Sequence, residues 1–385
     1  MGKDSSNRTV AIDARYAESP LSGIGRYTLN LLRGIAQVPP PSLQLVVFFS
    51  DPATPAMDDF RSAGFEWIEA AAHPRSLKNQ WTLPALLRKG KVDLLHTPDA
   101  FAPLLWPGRV LLTIHDLIPI NCRRLLHSST KSRFIWLWRA WLLLQCRHAA
   151  AVLTVSQRSA NDLKQLLNLS GDRIHIVHNG VSPLPVPTQE CINELRQTYQ
   201  LRGRIVLYVG RRDPTKNLVC LVRAFALLRP RLQQHVNLVI AGQLDPRYRE
   251  AEQEAERCGV TPWVVHTGYL DDQALAALYQ EADVFAFPSV YEGYGLPPLE
   301  AMRAGTAVVA ADHPVEHEVL GDAAMFVDPS SAEAWADALE HVLTNRSTAD
   351  TLRQRGCAQV ERRTVASQAT QTLKLYEYLL NHTED

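Results

Sequence analysis

Two glutamates, Glu292 and Glu300, stand eight residues apart in the run Ser289-Val-Tyr-Glu-Gly-Tyr-Gly-Leu-Pro-Pro-Leu-Glu-Ala-Met302. The apolar stretch Ala282–Pro288 before them reads as a buried strand. Gly293 and Gly295 allow a turn that side chains would obstruct, and Pro297 and Pro298 suit the first turn of a helix continuing through Leu299–Ala304. Glu292 is therefore expected on a loop at the carboxyl end of a strand, with Glu300 about one turn into the next helix. Open α/β sheets bind ligands at such ends, and free amides at a helix start favour a phosphate. The competing reading is a plain strand–turn–helix with two solvated glutamates. Two Glu, two Gly and two Pro around one junction argue against it.

Tyr208-Val-Gly-Arg-Arg-Asp-Pro-Thr-Lys-Asn217 closes another apolar run. Gly210 permits a sharp exit from that strand. Arg211 and Lys216 place two cations on one loop, as a diphosphate requires when charge accumulates on it during bond breaking. A solvated surface loop is the alternative. In Thr113-Ile-His-Asp-Leu117, His115 could bind a hydroxyl or trade a proton near neutral pH, with Asp116 orienting it. A lone histidine at a strand end is also commonly structural. Ser22-Gly-Ile-Gly-Arg-Tyr27 follows the first strand, and Gly23 and Gly25 would let backbone amides approach a ligand closely. It lacks the third glycine and the acidic residue of a dinucleotide fingerprint, and a helix-initiating turn explains it equally well.

The elements that must position these residues form two series. Apolar runs at Thr9–Ala14, Leu43–Phe49, Val92–His96, Val110–His115, Ala151–Val155 and Arg173–Val177 make the first. Arg204–Val209, Val236–Ala241, Val264–Thr267, Val284–Phe287, Ala307–Ala310 and Ala324–Val327 make the second. Helical patterns intervene, among them Tyr27–Ile35, Leu218–Leu228 and Asp271–Glu281. Strands alternating with helices give parallel sheets covered on both faces, here in two doubly wound α/β domains. The three prolines of Ser182-Pro-Leu-Pro-Val-Pro-Thr188 mark the boundary, giving domains 1–182 and 183–364. Residues 365–385 form a terminal helix that periodicity alone could pack on either domain.

The 385 residues carry 40 basic and 40 acidic side chains. The first 180 residues hold 21 basic against 13 acidic, and the remainder 19 against 27, so a partner touching one half is expected. No nucleic-acid partner is expected. The six cysteines show neither Cys-x-x-Cys pairing nor zinc spacing, which fits reduced thiols in the cytoplasm. The polar residues 1–9 do not resemble a signal peptide, and no apolar run nears the ~20 residues of a membrane span. Leu117–Asn161 contains no acid but holds Arg123, Arg124, Lys131, Arg133, Arg139, Arg147 and Arg158. Within it, Phe134–Leu144 carries three tryptophans. At about 100° per residue Arg133, Arg139 and Arg147 share one half of a helix, with Trp136 and Leu143 intruding on it. Such a helix suits an anionic membrane surface at the cytoplasmic face; a core helix with basic edges is the alternative.

Together these motifs resemble the family 4 glycosyltransferases, retaining enzymes of the GT-B fold that use nucleotide sugars. The resemblance covers nearly the whole chain and rests on Glu292-x7-Glu300, the Gly210–Lys216 loop, Gly23-Ile-Gly25, His115-Asp116, Asn179-Gly180 and the Glu318–Ala324 run. Tyr294 replaces the family's usual Phe, and Ala307 its usual Pro. The resemblance implies two Rossmann-like domains with the active site in the cleft between them, and a terminal helix crossing back onto the first. It implies that Arg211 and Lys216 hold the donor diphosphate. Glu292 would contact the donor sugar, Glu300 the ribose, and His115 the sugar near its reacting carbon. Gly23, Gly25, Gly210, Gly293, Tyr294, Gly295 and Leu296 would line the donor. The Ser22–Tyr27 and Glu318–Ala324 runs look most like the mannosyltransferases, making GDP-mannose the expected donor and a UDP- or dTDP-sugar the alternative. The acceptor would be lipid-linked or an oligosaccharide. With no Asp-x-Asp motif in the sequence, a metal-independent reaction is expected. A non-catalytic sugar-nucleotide-binding scaffold and a nicotinamide oxidoreductase are the competing classes. The intact Glu292, Glu300 and Lys216 count against the first, and the incomplete glycine fingerprint against the second.

Overall fold

The computed structural model describes residues 8–17, 22–40, 42–51, 60, 63–126 and 133–382. The chain divides into two compact units. The first comprises Met1–Leu117, Phe134–Ser182 and Arg363–Asp385, and the second Ile118–Arg133 and Pro183–Arg362.

The first unit is built on a parallel sheet of β1 (Arg8–Asp13), β2 (Leu43–Phe49), β3 (Glu66–Glu69), β4 (Leu94–Thr97), β5 (Arg109–Thr113), β6 (Ala151–Thr154) and β7 (Ile174–Ile176). Its order is β3-β2-β1-β4-β5-β6-β7. The second is a parallel sheet of β8 (Arg204–Val209), β9 (Val236–Ala241), β10 (Val264–Gly268), β11 (Val284–Phe287), β12 (Ala307–Ala311) and β13 (Ala324–Val327), in the order β10-β9-β8-β11-β12-β13. In each sheet the chain winds outward from a first strand in one direction, then returns to wind in the other. Right-handed crossovers then place helices on both faces. The central strands are buried on both sides, so they read as continuous apolar runs such as Ile205–Tyr208 and Val284–Phe287. The reversal falls between β1 and β4 in one unit and between β8 and β11 in the other.

Several boundaries differ from the sequence reading. Strand β3 is an edge strand of four residues, Glu-Trp-Ile-Glu, too short and too polar to appear as an apolar run. The first helix spans Gly23–Gln37, not Tyr27–Ile35. Gly23 and Gly25 are thus helical residues, not members of a loop, and Ser22 caps the helix by accepting the Gly25 amide on Oγ at 3.1 Å. That amide is occupied, so the expected close approach of the 23–25 backbone to a ligand is not supported at Gly25.

Residues 118–133 belong to the second unit although the chain reaches them from the first. The terminal helix, Val365–Asn381, belongs to the first. A buried polar network fixes its start. Asn30 donates to the Gly180 carbonyl at 2.8 Å and accepts from Ser182 Oγ at 2.7 Å, while Gln368 Oε1 accepts the Gly180 amide at 2.8 Å.

Candidate active site

The second unit brings Lys216 and Glu292 together. Lys216 leaves the carboxyl end of β8 and Glu292 that of β11, the neighbouring strands where the winding reverses. Diverging crossovers leave a crevice at such a reversal, which is why doubly wound sheets bind ligands there. The Lys216 ammonium donates to Glu292 Oε1 at 2.7 Å, and both side chains are almost wholly buried. The two loops are stitched to each other. The Val290 amide donates to the Thr215 carbonyl at 2.8 Å and Asn217 Nδ2 to the Pro288 carbonyl at 3.1 Å, while a second Asn217 bond, to the Pro329 carbonyl at 2.7 Å, ties them to the loop after β13. Burial alone would lower the Lys216 pKa, but the Glu292 and Asp213 carboxylates more than offset it, and the pKa is raised. Lys216 is therefore a fixed cation.

The Lys216 loop is shaped by its own residues. Gly210 has φ +154°, and a Cβ there would stand 2.7 Å from the Tyr208 hydroxyl, which donates to the Arg211 carbonyl at 2.6 Å. Asp213 caps the short turn Pro214–Lys216 by accepting from Thr215. Arg211 Nε lies 3.3 Å from Asp213 Oδ2, but its side chain remains 76% exposed and can reach a ligand. Arg247, which follows β9, pairs with Asp245 at 2.6 Å; its guanidinium lies 5.4 Å from the Tyr248 ring centre, and its charge and that of Arg211 both act on Tyr248.

The helix after Glu292 spans Leu296–Arg303. Gly295, at φ +94°, makes the turn into it, and a Cβ there would meet Phe287 at 3.2 Å. The expected anion site at this helix start needs correction. No side chain caps it, yet Pro297 and Pro298 occupy its second and third positions, and proline has no N–H. Two of the amides that would cradle a phosphate are absent. Glu300 is 7% exposed, and its Oε2 accepts from the Tyr279 hydroxyl at 2.9 Å, a partner the sequence offered no cue to find.

The segment 118–126 reaches the same loop. Asn121 Nδ2 donates to the Tyr291 hydroxyl at 2.7 Å, next to Glu292 in the chain. Cys122 and Leu126 are buried against Tyr248 and Tyr291. This strap begins three residues after His115. Its apolar-basic sequence gave no cue that it leaves the domain on either side of it.

In the first unit, His115 lies two residues beyond β5. Its Nε2 is 2.9 Å from the Pro98 carbonyl, and its ring meets that of Tyr27 edge-on at 4.7 Å. A carbonyl only accepts, so Nε2 carries the proton and Nδ1 of the neutral ring is an acceptor. Burial lowers its pKa, against the opposing pull of the Pro98 carbonyl, Asp116 and Asp99. Behind it, His96 is fully buried, with Nδ1 2.5 Å from the Tyr376 hydroxyl and Nε2 2.7 Å from Thr113 Oγ1.

The basic, Trp-rich stretch forms the helix Ile135–His148, of which only Leu142, Gln145 and Cys146 are buried. Phe134, Trp136, Leu137 and Leu144 are exposed, as are Arg133, Arg139 and Arg147. The core-helix alternative does not fit that exposure. Lys131 lies outside the described residues. No described helix is long and apolar enough to cross a membrane.

Residues 21–183 match the family model described as Glycosyltransferase Family 4, and residues 193–359 match that described as Glycosyl transferases group 1. The chain is 30% identical over 382 residues to the O-antigen chain mannosyltransferase B of Escherichia coli, covering 94% of this chain and 97% of that protein. The serotype-specific mannosyltransferase WbdA of Escherichia coli is 28% identical over 285 residues, 72% of this chain and 34% of that protein. Among solved structures, Anabaena HepE in complex with UDP-glucose aligns with a TM-score of 0.74 at 18% identity, covering 96% of this chain and 99% of that one.

Proposed function

The chain belongs to the family 4 glycosyltransferases, with the GT-B pair of Rossmann-like domains, and from that premise we propose that it transfers mannose from GDP-mannose to a lipid-linked or oligosaccharide acceptor in polysaccharide assembly. The observation that carries this reading is the Lys216–Glu292 pair at the sheet reversal, in a chain so extensively similar to an O-antigen mannosyltransferase.

In this reading the donor diphosphate draws the Lys216 ammonium from Glu292, and Arg211 adds a second positive charge. The released Glu292 carboxylate accepts from the sugar hydroxyls, the Gly293–Leu296 backbone lines the sugar, and Glu300, held by Tyr279, accepts from the ribose. The bond from the sugar's C1 to the phosphate oxygen breaks with its electron pair going to the diphosphate. The acceptor oxygen bonds to C1 on the same face, giving retention, and its proton passes to the departing diphosphate. Lys216 and Arg211 meet the charge that grows there, so no metal is required. In the first unit, His115 keeps Nδ1 as an acceptor for a sugar hydroxyl.

The exposed face of the Ile135–His148 helix supports a peripheral position on an anionic membrane. Its apolar rings would enter the headgroup region while its arginines meet lipid phosphates.

A screen of nucleotide sugars against purified protein, with release of the nucleotide diphosphate as readout, tests the reading. GDP-mannose should be turned over in preference to UDP- and dTDP-hexoses, with or without EDTA. Preference for a UDP- or dTDP-hexose would sink the donor, and loss of turnover in EDTA the metal-free chemistry.

A further inference from the structure

The first unit has its own winding reversal, between β1 and β4. The loops leaving those strands carry a cluster that no role above accounts for. After β1, Arg15 is buried and donates twice to Asp13, each time at 2.7 Å, and once to Asn79 Oδ1 at 2.9 Å. That fixed turn presents Tyr16. After β4 come Asp99 and Phe101. Asp99, 8% exposed, accepts from Arg75 Nη2 at 2.6 Å and Nε at 3.1 Å. The Arg75 guanidinium lies 5.8 Å from the Tyr16 ring centre and 5.2 Å from that of Phe101. Phe101 in turn packs on Trp138 at 5.7 Å and Trp141 at 5.5 Å, and Trp141 Nε1 donates to the Ala100 carbonyl at 2.9 Å. Tyr16, Phe101, Trp138 and Trp141 are all half-buried, so the cluster is neither core nor free surface.

The chemistry of the cluster selects its ligand. A half-exposed aromatic shelf offers apolar contact to the C–H face of a pyranose ring. A guanidinium–carboxylate pair beside it presents donors and acceptors together, which suits neighbouring hydroxyls, each both donor and acceptor. A phosphate would face Asp99 as well as Arg75. A lipid chain would strip water from both charges. The pair also stands close enough to His115 for the Asp99 charge to act on that ring. We infer that Tyr16, Arg75, Asp99, Phe101, Trp138 and Trp141 form a saccharide subsite that holds a sugar of the acceptor. The inference rests on the glycosyl-transfer reading and assigns that reaction's second substrate to named residues.

Saturation-transfer NMR with α-mannotriose, in the absence of any nucleotide sugar, tests it. The native chain should transfer saturation to the sugar protons, and Arg75→Ala and Phe101→Leu should each abolish it while circular dichroism stays native. Arg75→Lys, which keeps the charge and loses the planar fork, guards against misfolding and should weaken the transfer. With donor and acceptor both present, Arg75→Ala should raise the acceptor KM at least about tenfold. Unchanged saturation transfer and acceptor KM in Arg75→Ala and Phe101→Leu would overturn the subsite. So would Arg75-dependent binding to phosphatidylglycerol vesicles without any response to mannotriose. Binding of mannotriose by a chain that turns over no nucleotide sugar would uphold the subsite and sink the transfer reading instead.

Discussion

Lys216 and Glu292, seventy-six residues apart in sequence, form a 2.7 Å ion pair at the junction of β8 and β11. Neither partner needs to reorganise its loop to meet a ligand, because one backbone bond and one from the Asn217 side chain already hold the two loops together. Lys216→Ala should reduce kcat by roughly 10²-fold or more, the scale of losing one preorganised donor to a developing negative charge. Glu292→Gln should act mainly on sugar selection. Native kcat in Lys216→Ala would remove Lys216 from the chemistry.

The Asn121–Tyr291 bond ties the strap to the Glu292 loop. Asn121→Ala should lower kcat several-fold with the thermal midpoint nearly unchanged, since one hydrogen bond contributes only about 1 kcal/mol to stability. Tyr291→Phe should match it. A large stability loss with full activity would make the strap a packing element only.

Burial holds His96 neutral, with His115 beside it adding to the effect, and its pKa is pushed down to about 3 from an ordinary 6.5. The unfolded chain therefore binds more protons than the folded one between those values. Stability is complete above about pH 6.5 and falls as pH drops toward 3, by about 1.4 kcal/mol per pH unit from this residue. His115, also lowered by burial, acts in the same direction. Thermal melts from pH 7.5 to 4.5 should show the decline, and His96→Asn should flatten it. An unaltered slope in that variant would place the acid sensitivity elsewhere.

The exposed residues of the Ile135–His148 helix mix Trp136, Leu137 and Leu144 with Arg139 and Arg147, and Arg133, just before the helix in the chain, is exposed as well. Replacing the three arginines with glutamate should abolish co-sedimentation with anionic vesicles and leave neutral-vesicle binding low. Native binding should weaken with added salt, which screens exposed charge beyond about 8 Å at physiological strength. Equal sedimentation of the variant and the native chain would exclude the arginines from membrane attachment.

Much of the fold was legible because buried parallel strands are apolar on both faces. The expected runs Arg204–Val209, Val236–Ala241, Val284–Phe287 and Ala324–Val327 coincide with β8, β9, β11 and β13. Strand β3 was not legible, since an edge strand of two glutamates, a tryptophan and an isoleucine buries too little to leave a run. The start of the first helix was misplaced because two glycines look like a loop until Ser22 is seen to cap them. Arg211, Lys216, Glu292 and Glu300 could be named as candidates from residue type and spacing. Their partners could not.

The sequence by itself determined two parallel α/β sheets, the charge types on the loops that leave them, and the family. Those follow from local periodicity and short motifs. Only the tertiary structure decided that Lys216 meets Glu292, that Tyr279 meets Glu300, and that residues 118–126 pack with the second unit. It also decided that Arg75, Asp99 and Phe101 share one cluster. The Lys216–Glu292 pairing joins loops seventy-six residues apart, and is set by the order of strands in a sheet. Strand order depends on where the chain reverses its winding, which no local pattern of residues encodes.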